Sequence, residues 1–460
     1  MSRKALLLVP PSRGVVIRDY YCSKTSQARY LHPPVDLAVQ GGWLRSRGWD
    51  VHLIDATVDR LGFQQALSAV EESAPEVIFA LVGAVQWPED RRFLEAVGER
   101  TGAKIFASGD VFMESPQRFL ETLPCLSGIL TNFTSDEMVR NLEGEAMTRK
   151  ALHLLGDDHS VGGGDPGAAI PVPAHDLFLG HDYRYAFARR FPMATTYTQY
   201  GCPYTCSFCI SGELGASVRP TENVLEEFTA LREMGVREVF LQDQCFGAPQ
   251  GPFDDLLDAM EGKSFGFGWW TFTRVDVVNR DLVRRMKSAG CHTVILGVES
   301  ASDEILHNHR KGYGVDVIRS AFKMCEEEGL RTAATFILGL PEETKESIEE
   351  TIRLSVSLSA DYASFNVAVP RAGTRLRQSA VAEGLVAEDL EVMDQSGFEP
   401  TLETKGLSVD DLRLWRRRAV LRFYLRPRYI WRRLLRLKTP MELVNQAREA
   451  WMLVRNLVVR

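Results

Sequence analysis

The stretch Cys202-Pro-Tyr-Thr-Cys-Ser-Phe-Cys209 decides the fold of this 460-residue chain, because it places three cysteines on one short loop. The segment before it, Met193 to Tyr200, is rich in β-branched and aromatic residues and predicts a strand, after which Gly201 permits a sharp turn. Three thiolates on a loop at a strand end are close enough to hold one metal centre. Iron–sulfur clusters are held by cysteine thiolates, usually four, so three ligands leave one iron open for a substrate or cofactor.

Two other interpretations of the three cysteines are weaker. A structural zinc site needs four protein ligands, and the next cysteine along the chain is the distant Cys245. A disulfide would leave an odd thiol, and nothing in the sequence marks the chain as secreted. The cysteines outside the loop are scattered, which indicates a reducing cytoplasm: Cys22, Cys125, Cys245, Cys291 and Cys325.

The spacing Cys-x3-Cys-x2-Cys, with the aromatic Phe208 before the last cysteine, resembles the signature of the radical S-adenosylmethionine (SAM) superfamily. The resemblance implies one 4Fe–4S cluster held by Cys202, Cys206 and Cys209, with SAM bound at the open iron. A low-potential electron, from a donor of the flavodoxin or ferredoxin type, would then cleave SAM to a 5′-deoxyadenosyl radical.

The resemblance also limits the number of clusters to one. No cysteine follows Cys325, so the cysteine-rich C-terminal modules that carry auxiliary clusters in the superfamily are absent. The N-terminal region has only Cys22 and Cys125, whereas the methylthiotransferases of the superfamily carry three cysteines there. His307 and His309 lie in a polar turn, and we expect both to be solvated.

Residues 191–390 alternate strands and helices, and the six predicted strands indicate an open (β/α)6 barrel, which the resemblance implies as well. The strand ends on one face should carry the chemistry. A carboxylate there suits the ribose hydroxyls of SAM because it can accept two hydrogen bonds. The SAM contacts that the resemblance implies are Phe208 in the cysteine loop, Gln242 and Asp243 after the second strand, Arg274 after the third, Glu299 and Ser300 after the fourth, and Leu338 in the fifth.

Residues 1–150 show a βαβ alternation that predicts a parallel, doubly wound, Rossmann-like sheet with ligands at its carboxyl edge. No Gly-x-Gly-x-x-Gly follows the first strand, so a dinucleotide is disfavoured. The layout and the segment His32 to Leu37 resemble the cobalamin-binding-type domain of one radical SAM subfamily, which includes anaerobic magnesium-protoporphyrin ester cyclases and hopanoid-associated enzymes. The Asp-x-His-x-x-Gly motif for cobalt ligation is absent, as in many members. The resemblance implies cobalamin contacts at Gly83, Ser108 and Gly109.

The rest of the chain is a connecting segment, 151–190, and a basic C-terminal region, 391–460. Gly156 to Ala169 is rich in glycine and predicts a linker. From Leu412 to Arg460 the sequence has 14 lysines and arginines against two acids, although the whole chain has a net charge of −7. The predicted helices of this region, the first capped by Ser408, form either a lid on the barrel or a contact with an anionic membrane surface. Nucleic acid binding is disfavoured, because no RNA-binding fold is recognisable.

Together these features predict a cytoplasmic α/β enzyme, with peripheral contact at the inner face of the membrane as one of the two alternatives for its basic tail. The leading hypothesis is cobalamin-dependent methylation of an unactivated carbon in a hydrophobic small molecule or lipid. The rival hypothesis is a radical cyclisation, oxidation or rearrangement of a lipid or tetrapyrrole, with or without cobalamin. An iron–sulfur sensor is the non-enzymatic alternative, and it predicts a bound cluster but no SAM cleavage.

Overall fold

The computed structural model of the chain contains two six-stranded parallel sheets, each flanked by helices. It describes residues 3–26, 30–143, 150–152, 169–396, 402–404, 406–435 and residue 443. The expected glycine-rich linker, apart from its last residue, and the helix expected from Thr439 onward, apart from Leu443, lie outside the described residues.

The N-terminal sheet has the parallel, doubly wound organisation that the sequence predicts. Its strands are β1 (Lys4–Val9), β2 (Asp50–Asp55), β3 (Val77–Leu81), β4 (Lys104–Ser108), β5 (Leu126–Leu130) and β6 (Lys150–Leu152). They lie in the order β2-β1-β3-β4-β5-β6. The apolar runs of β1 and β3 are almost wholly buried, as expected for parallel strands covered on both faces. The sequence analysis missed β6, which is too short to give a pattern.

Helices cover this sheet, and they are α1 (Val35–Ser46), α2 (Phe63–Ser73), α3 (Trp87–Arg100), α4 (Pro116–Thr122) and α5 (Glu137–Glu143). Helix α1 packs across β1, β2 and β3. It is buried along most of its length, and the backbone of Gly42 lies so close to Val172 that a side chain at that position would clash with the connecting segment.

The second sheet confirms the predicted six-stranded partial barrel. Its strands are β7 (Met193–Thr196), β8 (Glu238–Leu241), β9 (Gly268–Arg274), β10 (Cys291–Glu299), β11 (Arg331–Leu338) and β12 (Tyr362–Val367). They pair in chain order, all parallel. The helices around them are α6 (Thr221–Glu233), α7 (Gln250–Glu261), α8 (Arg280–Ser288), α9 (Asp303–Asn308), α10 (Val315–Glu327), α11 (Lys345–Ser357) and α12 (Arg375–Ala382).

Two helices of the basic region, α13 (Val409–Tyr424) and α14 (Pro427–Leu435), pack on the open edge of the barrel. Ser408 caps α13, because its hydroxyl oxygen accepts a hydrogen bond from the Asp411 N–H at 3.1 Å. The Tyr424 hydroxyl donates to the Ala363 carbonyl in β12 at 2.7 Å. In the described residues this region is therefore a helical lid over the barrel edge. No described helix has both the length and the apolar character that crossing a bilayer requires.

The carboxyl edges of the two sheets face each other across the segment that follows β1. In this segment the Tyr21 hydroxyl accepts a hydrogen bond from the Gly201 N–H, next to the cysteine loop, at 3.1 Å. Arg371, which follows β12, is buried and pairs at 3.1 Å with Asp110, which follows β4. These contacts fix the N-terminal sheet against the carboxyl edge of the barrel.

Candidate functional site

A cavity of about 1180 Å³ lies where the two sheet edges meet. Small-molecule pockets usually measure roughly 300–1,000 Å³, so this cavity has room for more than one small ligand. The barrel end of the cavity is lined by the cysteine loop and by the ends of β8 and β10. The segment after β1 forms the opposite wall, and α13 and α14 close the far side. Phe208, Cys209, Gln242 and Glu299 are the predicted site residues that line it.

The cysteine loop leaves the barrel through a turn that only glycine can make. Gly201 has a φ of +64°, and a side chain there would clash with the Gly215 carbonyl. The Cys202 N–H donates to that same carbonyl at 2.9 Å, which fixes the start of the loop. Cys206 is buried, and Cys209 reaches the cavity wall. The turn thus presents the three thiols at the mouth of the barrel.

A cation lies against the cysteine loop. Arg274, at the end of β9, donates a hydrogen bond to the Cys206 sulfur at 3.4 Å, and its guanidinium lies 3.8 Å from the ring centre of Tyr204. Asp276 holds the guanidinium in place through two hydrogen bonds of 3.0 and 2.9 Å. A neighbouring positive charge favours the thiolate form of cysteine, which is the form that binds metal. Arg274 is therefore placed to offset the negative charge of a metal-bound sulfur at Cys206.

A fourth cysteine reaches the loop, contrary to the expectation that Cys245 is remote. Cys245 is fully buried after β8, and its thiol lies close enough to that of Cys202 for each to shift the pKa of the other. The interaction with Cys245, followed by burial, raises the pKa of the Cys202 thiol, while the same interaction lowers the pKa of Cys245. The two cysteines are far apart in sequence, and they meet because the ends of β7 and β8 lie side by side.

Within the described residues, no three His, Cys, Asp or Glu side chains surround a position for a single metal ion. A mononuclear zinc site would need its ligands to converge on one point. A 4Fe–4S cluster has no such requirement, because each cysteine binds a different iron at a different corner of the cube. The three cysteine thiols of the loop and the adjacent Arg274 fit a 4Fe–4S cluster.

Glu299 is held at the cavity by a strained backbone. It has a φ of +64° at a register shift between β10 and β11. Its carboxylate accepts a hydrogen bond from the buried Lys311 ammonium at 3.1 Å. Non-glycine residues in this conformation cluster at functional sites, where the surrounding structure maintains the strain. The bulge places a carboxylate on the cavity wall, as the prediction of a ribose contact requires.

Gln242 connects the two sheets across the cavity. Its side-chain N–H donates to Asp19, in the segment after β1. Burial raises the pKa of the Asp19 carboxyl. The other polar atom of Gln242, Oε1, is buried and has no hydrogen-bond partner among the described residues. Buried polar atoms are nearly always satisfied, so this orphaned acceptor marks a place for a ligand or water.

Four of the predicted SAM contacts do not line the cavity, and one of them is Arg274, which binds the Cys206 sulfur instead. The Asp243 carboxylate accepts hydrogen bonds from the backbone of Thr198 and Gln199 and so braces the loop after β7. Ser300 is fully buried, and its hydroxyl bonds within its own turn. Leu338 packs in the core between the barrel and its helices. Side chains alternate along a strand, so its neighbour Ile337 faces the cavity instead.

The predicted cobalamin contacts are covered by the chain itself. A side chain at Gly83 would lie 2.7 Å from the Cβ of Ser23, and Gly109 packs against the backbone of Val82. Ser108 is buried as well. The prediction placed these residues on the open edge, but the segment after β1 lies over Gly83 and the residue that follows β3, Val82, packs against Gly109. The cavity is instead lined from this side by Asp19, Tyr21, Cys22, Lys24, Tyr30 and His32.

Buried hydroxyl groups without partners lie where the two sheets meet. Tyr20, Tyr197 and Tyr200 pack around Phe133, with ring centres 4.9, 5.6 and 5.8 Å from it. None of the three hydroxyls has a hydrogen-bond partner among the described residues. An interface with several orphaned polar groups has the chemistry to take up a large polar ligand or ordered water.

His309 packs under the cysteine loop, so the expectation that it is solvated is wrong. It is 5% exposed, it shares a hydrogen bond of 2.6 Å with the Ser207 hydroxyl, and its other ring nitrogen lies 2.9 Å from Glu342. His307 is exposed, as expected. The turn after α9 returns to the barrel mouth, which a polar sequence pattern does not reveal.

The comparison with known proteins agrees with this site. Residues 196–355 match the family model described as the radical SAM superfamily. An uncharacterised methyltransferase of Pyrococcus horikoshii is 27% identical over 93% of this chain and 94% of its own length. The anaerobic magnesium-protoporphyrin IX monomethyl ester cyclase of Cereibacter sphaeroides is 26% identical over 91% of this chain and 72% of its own length.

Two solved structures share the fold over nearly the whole chain. The radical SAM methyltransferase TsrM from Kitasatospora setae, solved with cobalamin and a 4Fe–4S cluster, aligns with a TM-score of 0.64 at 16% identity, covering 98% of this chain and 99% of that one. The cobalamin-dependent radical SAM enzyme OxsB aligns with a TM-score of 0.66 at 14% identity, covering 99% of this chain and 73% of that one. From the cysteine loop, the partial barrel and the family match together, the chain is an enzyme with a radical SAM domain at residues 196–355.

Proposed function

We propose that this enzyme binds one 4Fe–4S cluster through Cys202, Cys206 and Cys209 and uses it to cleave SAM. The observation that carries the proposal is the hydrogen bond from Arg274 to Cys206, which places a fixed cation against the thiols. The open cavity that begins at Cys209 supports it further. Radical SAM enzymes need a reductant, and a flavodoxin or ferredoxin is the donor we propose.

The residues on the cavity wall have distinct tasks in holding SAM. Glu299 would accept hydrogen bonds from the ribose hydroxyls, and Lys311 keeps its carboxylate oriented. The orphaned Oε1 of Gln242 would accept a hydrogen bond from the amino group. Phe208 and Ile337 give apolar surface for the adenine. The apolar walls beside the cysteine loop would limit the access of water to the radical, which is a protective task of the protein in this chemistry.

We further propose that the product is methylated and that cobalamin binds between the two sheets. Cobalamin supplies a carrier for the methyl group. The unpartnered hydroxyls of Tyr20, Tyr197 and Tyr200 are polar groups that could bind a corrin side chain. His32 faces the cavity, and burial lowers its pKa to about 4, so its imidazole stays neutral at physiological pH. The architecture shared with TsrM and OxsB supports this choice over cobalamin-free cyclisation or rearrangement.

The test is anaerobic expression with cobalamin supplied, followed by measurement of iron, cobalamin and reductive SAM cleavage. Iron near four per chain and stoichiometric cobalamin are the expected results. Iron and deoxyadenosine without cobalamin would overturn the methylation proposal and favour the rival cyclisation or rearrangement. A bound cluster that leaves SAM intact would favour a sensor.

We also propose that the lid contacts an anionic membrane surface. On α14, Trp431 and Leu435 are 66% and 69% exposed beside several arginines. Exposed aromatic and apolar groups next to cations suit the lipid interface, where each basic residue contributes about 1 kcal/mol. Co-sedimentation with vesicles of anionic and of zwitterionic lipid tests this. Equal binding to both, or to neither, would refute it.

A further inference from the structure

The side-chain amide of Gln242 is held at one end only. An amide can present either an N–H donor or a carbonyl acceptor to a ligand, because its two ends have nearly the same shape. In Gln242 the N–H end donates to the Asp19 carboxylate. The other end, Oε1, is buried without a hydrogen-bond partner among the described residues, although the side chain lines the cavity. The end that Gln242 offers to a ligand therefore depends on Asp19.

The Asp19 carboxylate lies among groups that suit an acceptor. The Tyr21 N–H donates to one of its oxygens at 2.8 Å, and Gln242 donates to the other. Burial raises the pKa of this carboxyl, whereas the Tyr21 N–H and the positive charges of Lys24 and Arg371 lower it. An ionised carboxylate accepts hydrogen bonds and cannot donate one. It can therefore pair only with the N–H end of the amide.

The segment that carries Asp19 is anchored to the N-terminal sheet. It folds back on itself as a short antiparallel pair of strands. Arg18 and Asp90 form a buried ion pair of 2.5 Å, and the Ser23 N–H donates to Asp110 at 2.8 Å. These contacts on both sides of Asp19 fix the position of its carboxylate. A residue of the N-terminal half thus orients an amide of the barrel that is 223 positions away in the sequence.

We infer that Asp19 is a positioning residue for SAM, because by holding the N–H end of Gln242 it makes Oε1 the atom that meets the amino group of SAM. The inference rests on the proposed function, in which Gln242 contacts that amino group. An amino group carries N–H donors and needs an acceptor. If the amide turned round, two donors would oppose each other and both would lose a hydrogen bond. The N-terminal half therefore contributes to the specificity of a site that otherwise belongs to the barrel.

Binding measurements test the inference without turnover. The full-length protein, with its cofactors in place, is dialysed against SAM, S-adenosylhomocysteine and 5′-methylthioadenosine, of which the last has no amino-acid group. Asp19→Asn supplies an N–H donor of its own and lets the amide of Gln242 turn round. We expect the dissociation constants of SAM and S-adenosylhomocysteine to rise about tenfold. That of 5′-methylthioadenosine should not change.

A double variant exchanges donor and acceptor between the two positions. In Asp19→Asn with Gln242→Glu, the new amide at position 19 can donate to the new carboxylate at position 242. The second oxygen of that carboxylate remains an acceptor for the amino group. SAM binding should therefore return to within about threefold of the wild-type constant. Gln242→Glu alone places two carboxylates against each other and should weaken SAM binding. A purely structural role of Asp19 predicts no recovery in the double variant.

The matched control is Asp36→Asn. Asp36 is a buried carboxyl of the same interface, where it accepts the Tyr20 N–H at 3.0 Å, and it does not line the cavity. This variant should bind all three ligands as the wild type does. Unchanged SAM binding in Asp19→Asn, an equal loss of all three ligands, or no recovery in the double variant would overturn the inference. If Asp19→Asn fails to fold, the double variant decides: near-wild-type SAM binding upholds the inference, and its loss overturns it.

The same samples separate this inference from the proposed function. Selective loss in Asp19→Asn and recovery in the double variant, with no deoxyadenosine from the reduced wild type, would uphold the role of Asp19 and refute the radical chemistry. Normal SAM cleavage by the wild type, with unchanged SAM affinity in Asp19→Asn, would do the reverse.

Discussion

Arg274 and Cys206 are joined by a hydrogen bond of 3.4 Å between a guanidinium N–H and the cysteine sulfur. The bond connects the end of β9 to the cysteine loop after β7, two strands away in the sheet. It places a permanent cation next to a sulfur that the proposed function makes a cluster ligand. Hydrogen bonds and charge near the sulfurs are among the main factors that set a cluster's reduction potential.

Replacing Arg274 by Met should therefore damage the cluster more than the fold. A hydrogen bond to a charged group contributes about 1.5–3 kcal/mol, so we expect SAM cleavage to fall at least tenfold. The reduction potential, measured by titration followed by electron paramagnetic resonance, should also become more negative. Arg274→Lys should recover part of the activity, because it restores the charge without the forked geometry.

The control for this variant is Arg280→Met. Arg280 is an exposed arginine at the start of α8, where it pairs with Glu327 and Glu328 at 2.6 and 2.5 Å. Surface ion pairs contribute little, so this variant should keep both the potential and the rate. If Arg274→Met retained the wild-type potential, the electrostatic role of Arg274 would be refuted.

Glu299→Gln should weaken SAM binding without loss of iron. The amide keeps the shape of the side chain but removes the charge and one acceptor, so we expect the dissociation constant for SAM to rise about tenfold. Equilibrium dialysis against SAM, with iron analysis of the same sample, checks this. Ser300→Ala is the matched control, since the Ser300 hydroxyl bonds within its own turn and should not affect affinity.

The variant Cys245→Ala tests whether the fourth cysteine is a ligand of the cluster. Cys245 lies close to Cys202, but it follows β8 and is outside the three-cysteine loop. The Cys-x3-Cys-x2-Cys spacing does not include it, so we expect no ligand role. We expect this variant to keep iron near four per chain, whereas Cys202→Ala should lose most of it. Loss of iron in Cys245→Ala would show that four cysteines hold the cluster, so that no iron would be open to bind SAM.

The stability of the protein should fall as pH rises from about 4.5 to 8 because of Glu343. This carboxyl, which accepts the Leu340 N–H at 3.3 Å, has a pKa raised to about 8 by burial, against an ordinary value of 4.5. In that range the folded state binds the proton that the unfolded state has released, so each rise in pH favours unfolding. Thermal unfolding measured from pH 5 to pH 9 should show a flatter dependence for Glu343→Gln. The exposed Glu346→Gln should follow the wild type.

Sequence could predict the features that depend on short stretches of residues or on the order of elements along the chain. The spacing from Cys202 to Cys209 predicts the cysteine loop because it depends on local residues alone. The six alternating strands predict the barrel because they depend only on the order of elements along the chain. Glu299 lines the cavity, and its contact with the SAM ribose, which the family resemblance implies, stays a prediction. The division of the chain at residue 150 stays a prediction.

The remaining parts depend on contacts between distant segments. Cys245 meets Cys202 only because adjacent strand ends converge, and His309 is buried only because a polar turn packs back on the loop. Gly83 and Gly109 were expected to be open to a ligand. Nothing in the local pattern indicates that the segment containing Ser23 would fold over Gly83 or that Val82 would pack against Gly109.

The most direct test of the account is the release of 5′-deoxyadenosine by the anaerobically reconstituted protein after reduction with dithionite in the presence of SAM. Wild type and the triple variant of Cys202, Cys206 and Cys209 to Ala are measured side by side, with iron content. The account predicts iron near four per chain and deoxyadenosine from the wild type, and neither from the variant. Intact SAM beside a fully loaded wild-type cluster would contradict it.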